Sequence, residues 1–194
     1  MQTKLYRNLN EIFHPSISRE NISNYKILLK NNLLPIKVFY PKKEINLDRL
    51  IILISTDESI CSDLAIGTKS VVFLLDYSKN DYVLKCYNFI KYIYKEIDNY
   101  DIDKKNVCFM SYGSSSNILE KVLIKMDNIN TNKLIFLNPS NEITMENNKL
   151  ILSCNLCIDK KQVFEIIKDF ILQAWYNNHN GGLYGKSKNK KRNS

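Results

Sequence analysis

The sequence predicts one α/β domain: a mostly parallel sheet entered through an antiparallel hairpin, with helices on both faces. Three observations carry this. Leu50–Ile54 and Val71–Leu75 are wholly apolar, as strands are when both faces are covered. Asp81–Ile97 repeats its apolar residues at helical spacing. Two β-prone runs, Tyr25–Leu29 and Leu33–Tyr40, meet at Asn31-Asn32, and asparagine tolerates the left-handed backbone of tight hairpin turns. A hairpin followed by strand–helix alternation is the pattern of a parallel sheet with one antiparallel edge.

The elements follow in order. Residues 2–13 place Leu5, Leu9, Ile12 and Phe13 as on a short amphipathic helix, stopped at His14-Pro15. Pro35 marks the second hairpin strand as an outer one, because proline cannot donate to the ladder. A short segment, Ser59–Ile66, separates the two apolar strands. The helix over Asp81–Ile97 carries Val83, Tyr87, Ile90, Tyr94 and Ile97 as its buried stripe and turns Tyr92 outward as a contact surface. Val107–Met110 is a further buried strand, and Ser114–Met126 reads as a helix capped by serine. Lys133–Leu137 and Lys149–Leu152 are strands. Asp159 is placed to cap a last helix whose inward residues are Val163, Phe164, Ile167, Phe170, Ile171 and Ala174. No internal repeat appears, so residues 1–177 form one domain and residues 178–194 a basic tail.

Composition narrows the functional classes. The chain has 194 residues, enough for one continuous core, and too few glycines and prolines, 5 and 4, for a fibrous or low-complexity chain. No apolar run approaches the roughly 20 residues that span a bilayer, and the N-terminus has no signal-peptide core. Five cysteines, mostly in apolar surroundings, suit reduced thiols rather than a disulfide framework. The expectation is a cytoplasmic protein without cofactor or metal. Five cations, Lys186, Lys188, Lys190, Lys191 and Arg192, fall in the last nine residues and account for most of the net +8. Such a run is either a solvated end or a tether for non-specific contact with nucleic acid, ribosomes or anionic lipid.

Particular stretches resemble the hormone-sensitive-lipase-like esterases of the α/β-hydrolase superfamily. Leu34-Pro35-Ile36-Lys37-Val38-Phe39-Tyr40-Pro41 is similar to their early strand ending in Tyr-x-Pro. Ser70-Val71-Val72-Phe73-Leu74-Leu75-Asp76-Tyr77 resembles the strand ending in Asp-Tyr. Tyr100-Asp101-Ile102-Asp103-Lys104-Lys105-Asn106-Val107 resembles their approach to the nucleophile strand. The likeness covers about residues 23 to 140 and implies an α/β-hydrolase fold; the stretch between Leu137 and Lys149 leaves no room for a lid.

The same resemblance exposes departures. The family presents its nucleophile on a strand-to-helix turn, G-x-S-x-G. This chain reads Ser111-Tyr112-Gly113-Ser114-Ser115 there, with glycine at the nucleophile and serines at the flanking glycines. Where the family's glycine-rich loop stabilises an oxyanion, this chain reads Ser55-Thr56-Asp57-Glu58, whose carboxylates would oppose one. The expected function is therefore a non-catalytic binding or accessory protein, with a cleft lined by Ser55, Asp57, Tyr77, Tyr112, Gly113, Ser114 and Ser115. The alternative is a minimal esterase or acyltransferase with a rebuilt triad of Ser114, Asp159 and His179. A third reading is a nucleic-acid-associated protein acting through the tail.

Two further constellations have simpler readings beside them. Ser114, Ser115 and Ser116 at a helix start could cradle an anion or simply cap the helix. Cys154-Asn155-Leu156-Cys157 has redox-pair spacing, but the thioredoxin-like context is absent, and a zinc site would need a second ligand pair.

Overall fold

The computed structural model describes residues 4–6, 22–29, 32–41, 49–76, 82–100, 102–126, 133–144, 149–153 and 156–179. Eight strands form one sheet: β1 (Lys4–Tyr6), β2 (Ile22–Leu29), β3 (Asn32–Phe39), β4 (Leu50–Ile54), β5 (Val71–Leu75), β6 (Val107–Tyr112), β7 (Leu134–Leu137) and β8 (Lys149–Leu152). Their spatial order is β1-β2-β3-β5-β4-β6-β7-β8. The β2–β3 and β3–β5 pairs are antiparallel, and every other pair is parallel. Among the described residues four α-helices accompany them: α1 (Cys61–Thr68), α2 (Tyr82–Glu96), α3 (Ser115–Ile124) and α4 (Leu156–His179). The expected class, a mostly parallel sheet with an antiparallel N-terminal hairpin, is the observed one.

Alternation along the strands divides the interior into two cores. Leu50, Ile52 and Ile54 of β4 face Phe89, Ile90 and Ile93 of α2 and Leu119 and Val122 of α3. Ile51 and Leu53 face the other way, toward Leu64 and Ala65 of α1 and Val163, Ile167 and Ile171 of α4. Both faces of β4 and β5 are wholly buried, which is why those strands have no polar residue. The helices follow from the right-handed crossover rule. The β4–β5 step runs one way across the sheet and puts α1 on one face; the β6–β7 step runs the other way and puts α3 on the opposite face.

Several expectations need correction. Lys4–Tyr6 is not helical; it pairs in parallel with Tyr25–Ile27, tertiary pairing overriding a local period. The remainder of the helix expected over residues 2–13 lies outside the described residues. β3 is not an outer strand. Pro35 is nevertheless tolerated, because the β3–β5 pairing covers only Lys37–Phe39 and leaves Pro35 with a neighbour on one side. The buried stripe of α2 is Tyr82, Cys86, Phe89, Ile90 and Ile93, offset from the expected one, with Val83, Tyr87 and Tyr94 at its half-buried margins. Tyr92 packs against the same core rather than pointing away from it.

The last helix differs in a way that matters for the site. α4 begins at Leu156, so Asp159 lies within its first turn rather than capping it. Val163, Ile167 and Ile171 are buried, while Phe164 and Phe170 pack at the margin. The fit of α4 against α1 is close: a Cβ on Gly67 would meet the Phe164 ring at 2.6 Å. Residues 178 and 179, expected in the tail, are the last of α4; the side chain of Ala174 and residues 180–194 lie outside the described residues.

Candidate functional site

In an open α/β sheet, ligands bind beyond the carboxyl ends of the strands, where neighbouring connections leave toward opposite faces. That point lies here between β4 and β6. Ile54 pairs with Ser111, so the loop after β4 and the turn after β6 stand side by side.

The turn after β6 is built around Gly113. Its φ of 64° is the left-handed value that favours glycine. Its N–H donates to the Leu137 carbonyl at 2.8 Å, and its own carbonyl accepts from the Ser116 N–H at 3.1 Å. Nothing lies within 4 Å of where a Cβ would project. The strand thus turns sharply into α3 and leaves open space where a side chain would stand.

The serines around Gly113 differ in what they offer. Ser115 is fully buried. Its hydroxyl lies 2.5 Å from the Ile54 carbonyl and 2.7 Å from that of Tyr112, and accepts from the Tyr112 N–H at 3.0 Å. It fastens the turn to the end of β4. Ser116 is also fully buried and shares a hydrogen bond of 3.1 Å with Ser111. Ser114 is exposed and stands at the head of α3, but its side chain does not cap the helix as expected, because its own backbone is already helical, φ −64° and ψ −20°.

The loop after β4 is held by its own side chains. Ser55, 1% exposed, donates its N–H to the Leu75 carbonyl and accepts the Asp57 N–H on its hydroxyl at 2.8 Å. Asp57 accepts from the Ser59 N–H at 2.8 Å. Glu58 forms an ion pair with Lys37 of β3. Burial pushes the nearby Cys61 thiol up to about 12, with the Glu58 and Asp57 carboxylates adding to the effect. Two carboxylates, Asp57 and Glu58, thus stand on this side with the Lys37 ammonium beside them.

Of the expected site residues, Ser55, Asp57, Tyr112, Gly113, Ser114 and Ser115 come together at this crevice; Tyr77 lies outside the described residues. Lys37 was missed, and in so lysine-rich a chain no sequence signal would have found it. Asp159 and His179 do not join the group. Both lie on the single helix α4, twenty residues apart, which at 1.5 Å per residue is about 30 Å along the axis. The side chains of both lie outside the described residues. Cys61, Cys86 and Cys108 are buried, free thiols. Cys154 and the side chain of Cys157 lie outside the described residues. No group of three or more metal-binding side chains occurs among the described residues.

Solved structures share this architecture. An arylesterase superimposes with a TM-score of 0.51 at 19% identity, covering 71% of this chain and 52% of its own. A bacterial heroin esterase gives 0.53 at 13% identity, covering 69% and 50%. The fold is that of the α/β-hydrolases. EstE1, a thermophilic carboxylesterase from a metagenomic library, gives 0.51 at 16% identity, covering 67% and 51%. The α/β-hydrolase fold is present here at about half the length of these enzymes. No protein-family model and no curated protein sequence matches the chain. No described helix is long and apolar enough to cross a membrane.

Proposed function

We propose that this protein uses an α/β-hydrolase fold for binding rather than hydrolysis, with the crevice between the ends of β4 and β6 as the binding site. The observation that carries the reading is Gly113. The residue with positive φ at the strand-to-helix turn is the one that an esterase of this fold would use to present its nucleophile, and glycine has nothing to attack with. Three further features support it. The hydroxyls of Ser115 and Ser116 are turned into the structure. The loop after β4 carries carboxylates where an oxyanion would need N–H donors. The acid and base expected to activate Ser114 are separated along α4.

The esterase reading has one observation in its favour: Ser114 is exposed at the head of α3, beside Gly113, in a fold whose solved examples include esterases. The two readings part on one experiment. The purified protein is treated with a fluorophosphonate probe and any modified residue is mapped by peptide mass spectrometry. The binding reading expects no modification of Ser114 above that of heat-denatured protein. Modification of Ser114 that requires the folded state, and is lost in Ser114→Ala, would establish a nucleophile and overturn it.

A further inference from the structure

The crevice lies at the carboxyl end of the parallel strands, and cations gather at the other end of the same sheet. Four neighbouring strands, β5, β4, β6 and β7, run parallel. A cation stands just before each: Lys69, Arg49, Lys105 and Lys133. Neighbouring strands lie about 4.8 Å apart, so these positions cross the sheet in a row about 14 Å long. The helices α2 and α3 run back to the same end and finish there on Lys95 and on Lys121 and Lys125. Cations at helix C-termini answer the helix dipole. A sheet has only a small net dipole, so the row on the strands has no such local reason.

The members of this group differ in what they offer. Arg49 donates to the Thr68 carbonyl at 3.4 Å, and Lys133 is buried against the Lys105 carbonyl; the fold itself holds both. Lys69, Lys95, Lys105, Lys121 and Lys125 are exposed, and none of the five forms an ion pair among the described residues. The described acids on these connections are engaged. Asp98 pairs with Lys104, Asp103 accepts the Lys105 N–H at 2.8 Å, and Glu96 accepts from Asn99 at 3.3 Å. Lys69 stands at φ 55°, directly after α1, where glycine would sit at lower cost. The last helix comes to the same end. Lys160 in its second turn donates to the Ser59 carbonyl beside the crevice, and α4 then runs on to pack against the 3-10 turn Lys104–Asn106. The sequence after His179, with five cations from Lys186 to Arg192 and no acid, is joined there.

We infer that the amino end of the sheet is a nucleic-acid-binding face, on which Lys69, Lys95, Lys105, Lys121 and Lys125 contact the phosphates of a duplex. Exposed cations without acidic partners, continued by a basic chain, fit a linear polyanion, and the face and the tail act on it together. A bilayer is the other large anionic surface, but the exposed isoleucines near this end offer it little. Ile66 on α1 and Ile124 on α3 stand singly, on opposite faces of the sheet, and form no apolar patch to insert. No aromatic side chain is exposed among the described residues, which leaves no platform for stacking unpaired bases. The contact is therefore to backbone phosphates and independent of sequence. The crevice is at the opposite end, so the inference stands apart from what the crevice binds.

The test is binding of the full chain, tail included, to a fluorescein-labelled DNA duplex, followed by anisotropy over a range of salt concentrations. One variant removes cations of the face: Lys69→Gly, Lys105→Gln and Lys125→Gln together. All three positions are exposed, and glycine relaxes the left-handed backbone at position 69, so circular dichroism and melting temperature should show an intact fold. A control variant, Lys26→Gln, Lys85→Gln and Lys161→Gln, changes the net charge equally away from this end. The face variant is expected to bind at least about tenfold more weakly at physiological ionic strength, with a log–log salt slope shallower by about 3. The control is expected to keep the wild-type slope. A wild type that does not bind the duplex, an equal loss in the control, or an unchanged slope in the face variant would each overturn the inference. So would salt-sensitive binding to vesicles of phosphatidylserine and phosphatidylcholine without binding to the duplex, which would assign the face to a membrane.

Discussion

Lys133 is the one fully buried cation among the described residues, and it gives the folded state a measurable pH signature. It immediately precedes β7, at the end of the sheet away from the crevice, and its ammonium donates to the Lys105 carbonyl at 3.0 Å. Burial depresses its pKa from 10.5 to about 8; the neighbouring Arg49 also lowers it, while Cys108 and Asp103 oppose the change. A depressed folded-state value means that the unfolded chain binds more protons, so this group's contribution to stability is complete above 10.5 and is lost as pH falls through about 8. From these two values the cost of burying Lys133 is roughly 3 kcal/mol at pH 7 and roughly 2 kcal/mol at pH 9, a difference of about 1 kcal/mol. Other groups titrate in the same range with the opposite sign. Burial pushes the Cys61 and Cys108 thiols up to about 12, so their contribution is present below an unfolded value of 9 and lost as pH rises toward 12. The comparison that isolates Lys133 is therefore wild type against Lys133→Met, by urea unfolding at pH 7, 8 and 9 with far-UV circular dichroism. The stability difference should change by about 1 kcal/mol in favour of the wild type across this range. Parallel pH profiles for the two proteins would refute the reasoning.

Two further predictions concern the crevice and the tail. Ser115→Ala removes the hydroxyl that ties the Gly113 turn to Ile54, leaving buried backbone groups without it; the expected loss is about 1–3 kcal/mol in a urea melt, and an unchanged midpoint would mean that the tie carries no weight. If the basic tail tethers the protein to nucleic acid, binding to duplex DNA followed by fluorescence anisotropy should weaken steeply with added salt and disappear on deleting residues 185–194; binding that survives the deletion would reject the tail as the contact.

The fold was legible in the sequence where burial is two-sided. Leu50–Ile54 and Val71–Leu75 have no polar residue because both faces are covered; the expected hairpin is present, though Asn32 already belongs to β3 and Asn31 lies outside the described residues. It was misread where local period and tertiary context compete. The residues at Lys4–Tyr6 fit a helix period but join a sheet edge. The α2 stripe was displaced because tyrosines at its margin looked as apolar as its centre. Pro35 signals a missing donor, which the sheet accommodates by ending the β5 pairing before it rather than by making β3 an outer strand. At the site, Gly113 could be located from its neighbours, whereas Lys37 and Lys133 could not, since burial and pairing depend on contacts far along the chain. Nor could the sequence tell that Asp159 and His179 share one unbroken helix.

The course of α4 links these features. From β8 the chain does not continue to another described strand; it returns on the α1 face, where Val163, Ile167 and Ile171 close the second core. On that path its apolar residues cover the α1 face of the sheet. Asp159 and His179 both lie on this helix, twenty residues apart. What the fold keeps is what its topology alone dictates: a crevice at the β4–β6 switch, fastened by Ser115 and opened by Gly113. If this is the binding site proposed above, substitutions at Asp57, Lys37 and Ser114 are expected to change ligand affinity, whereas substitutions along α4 are not.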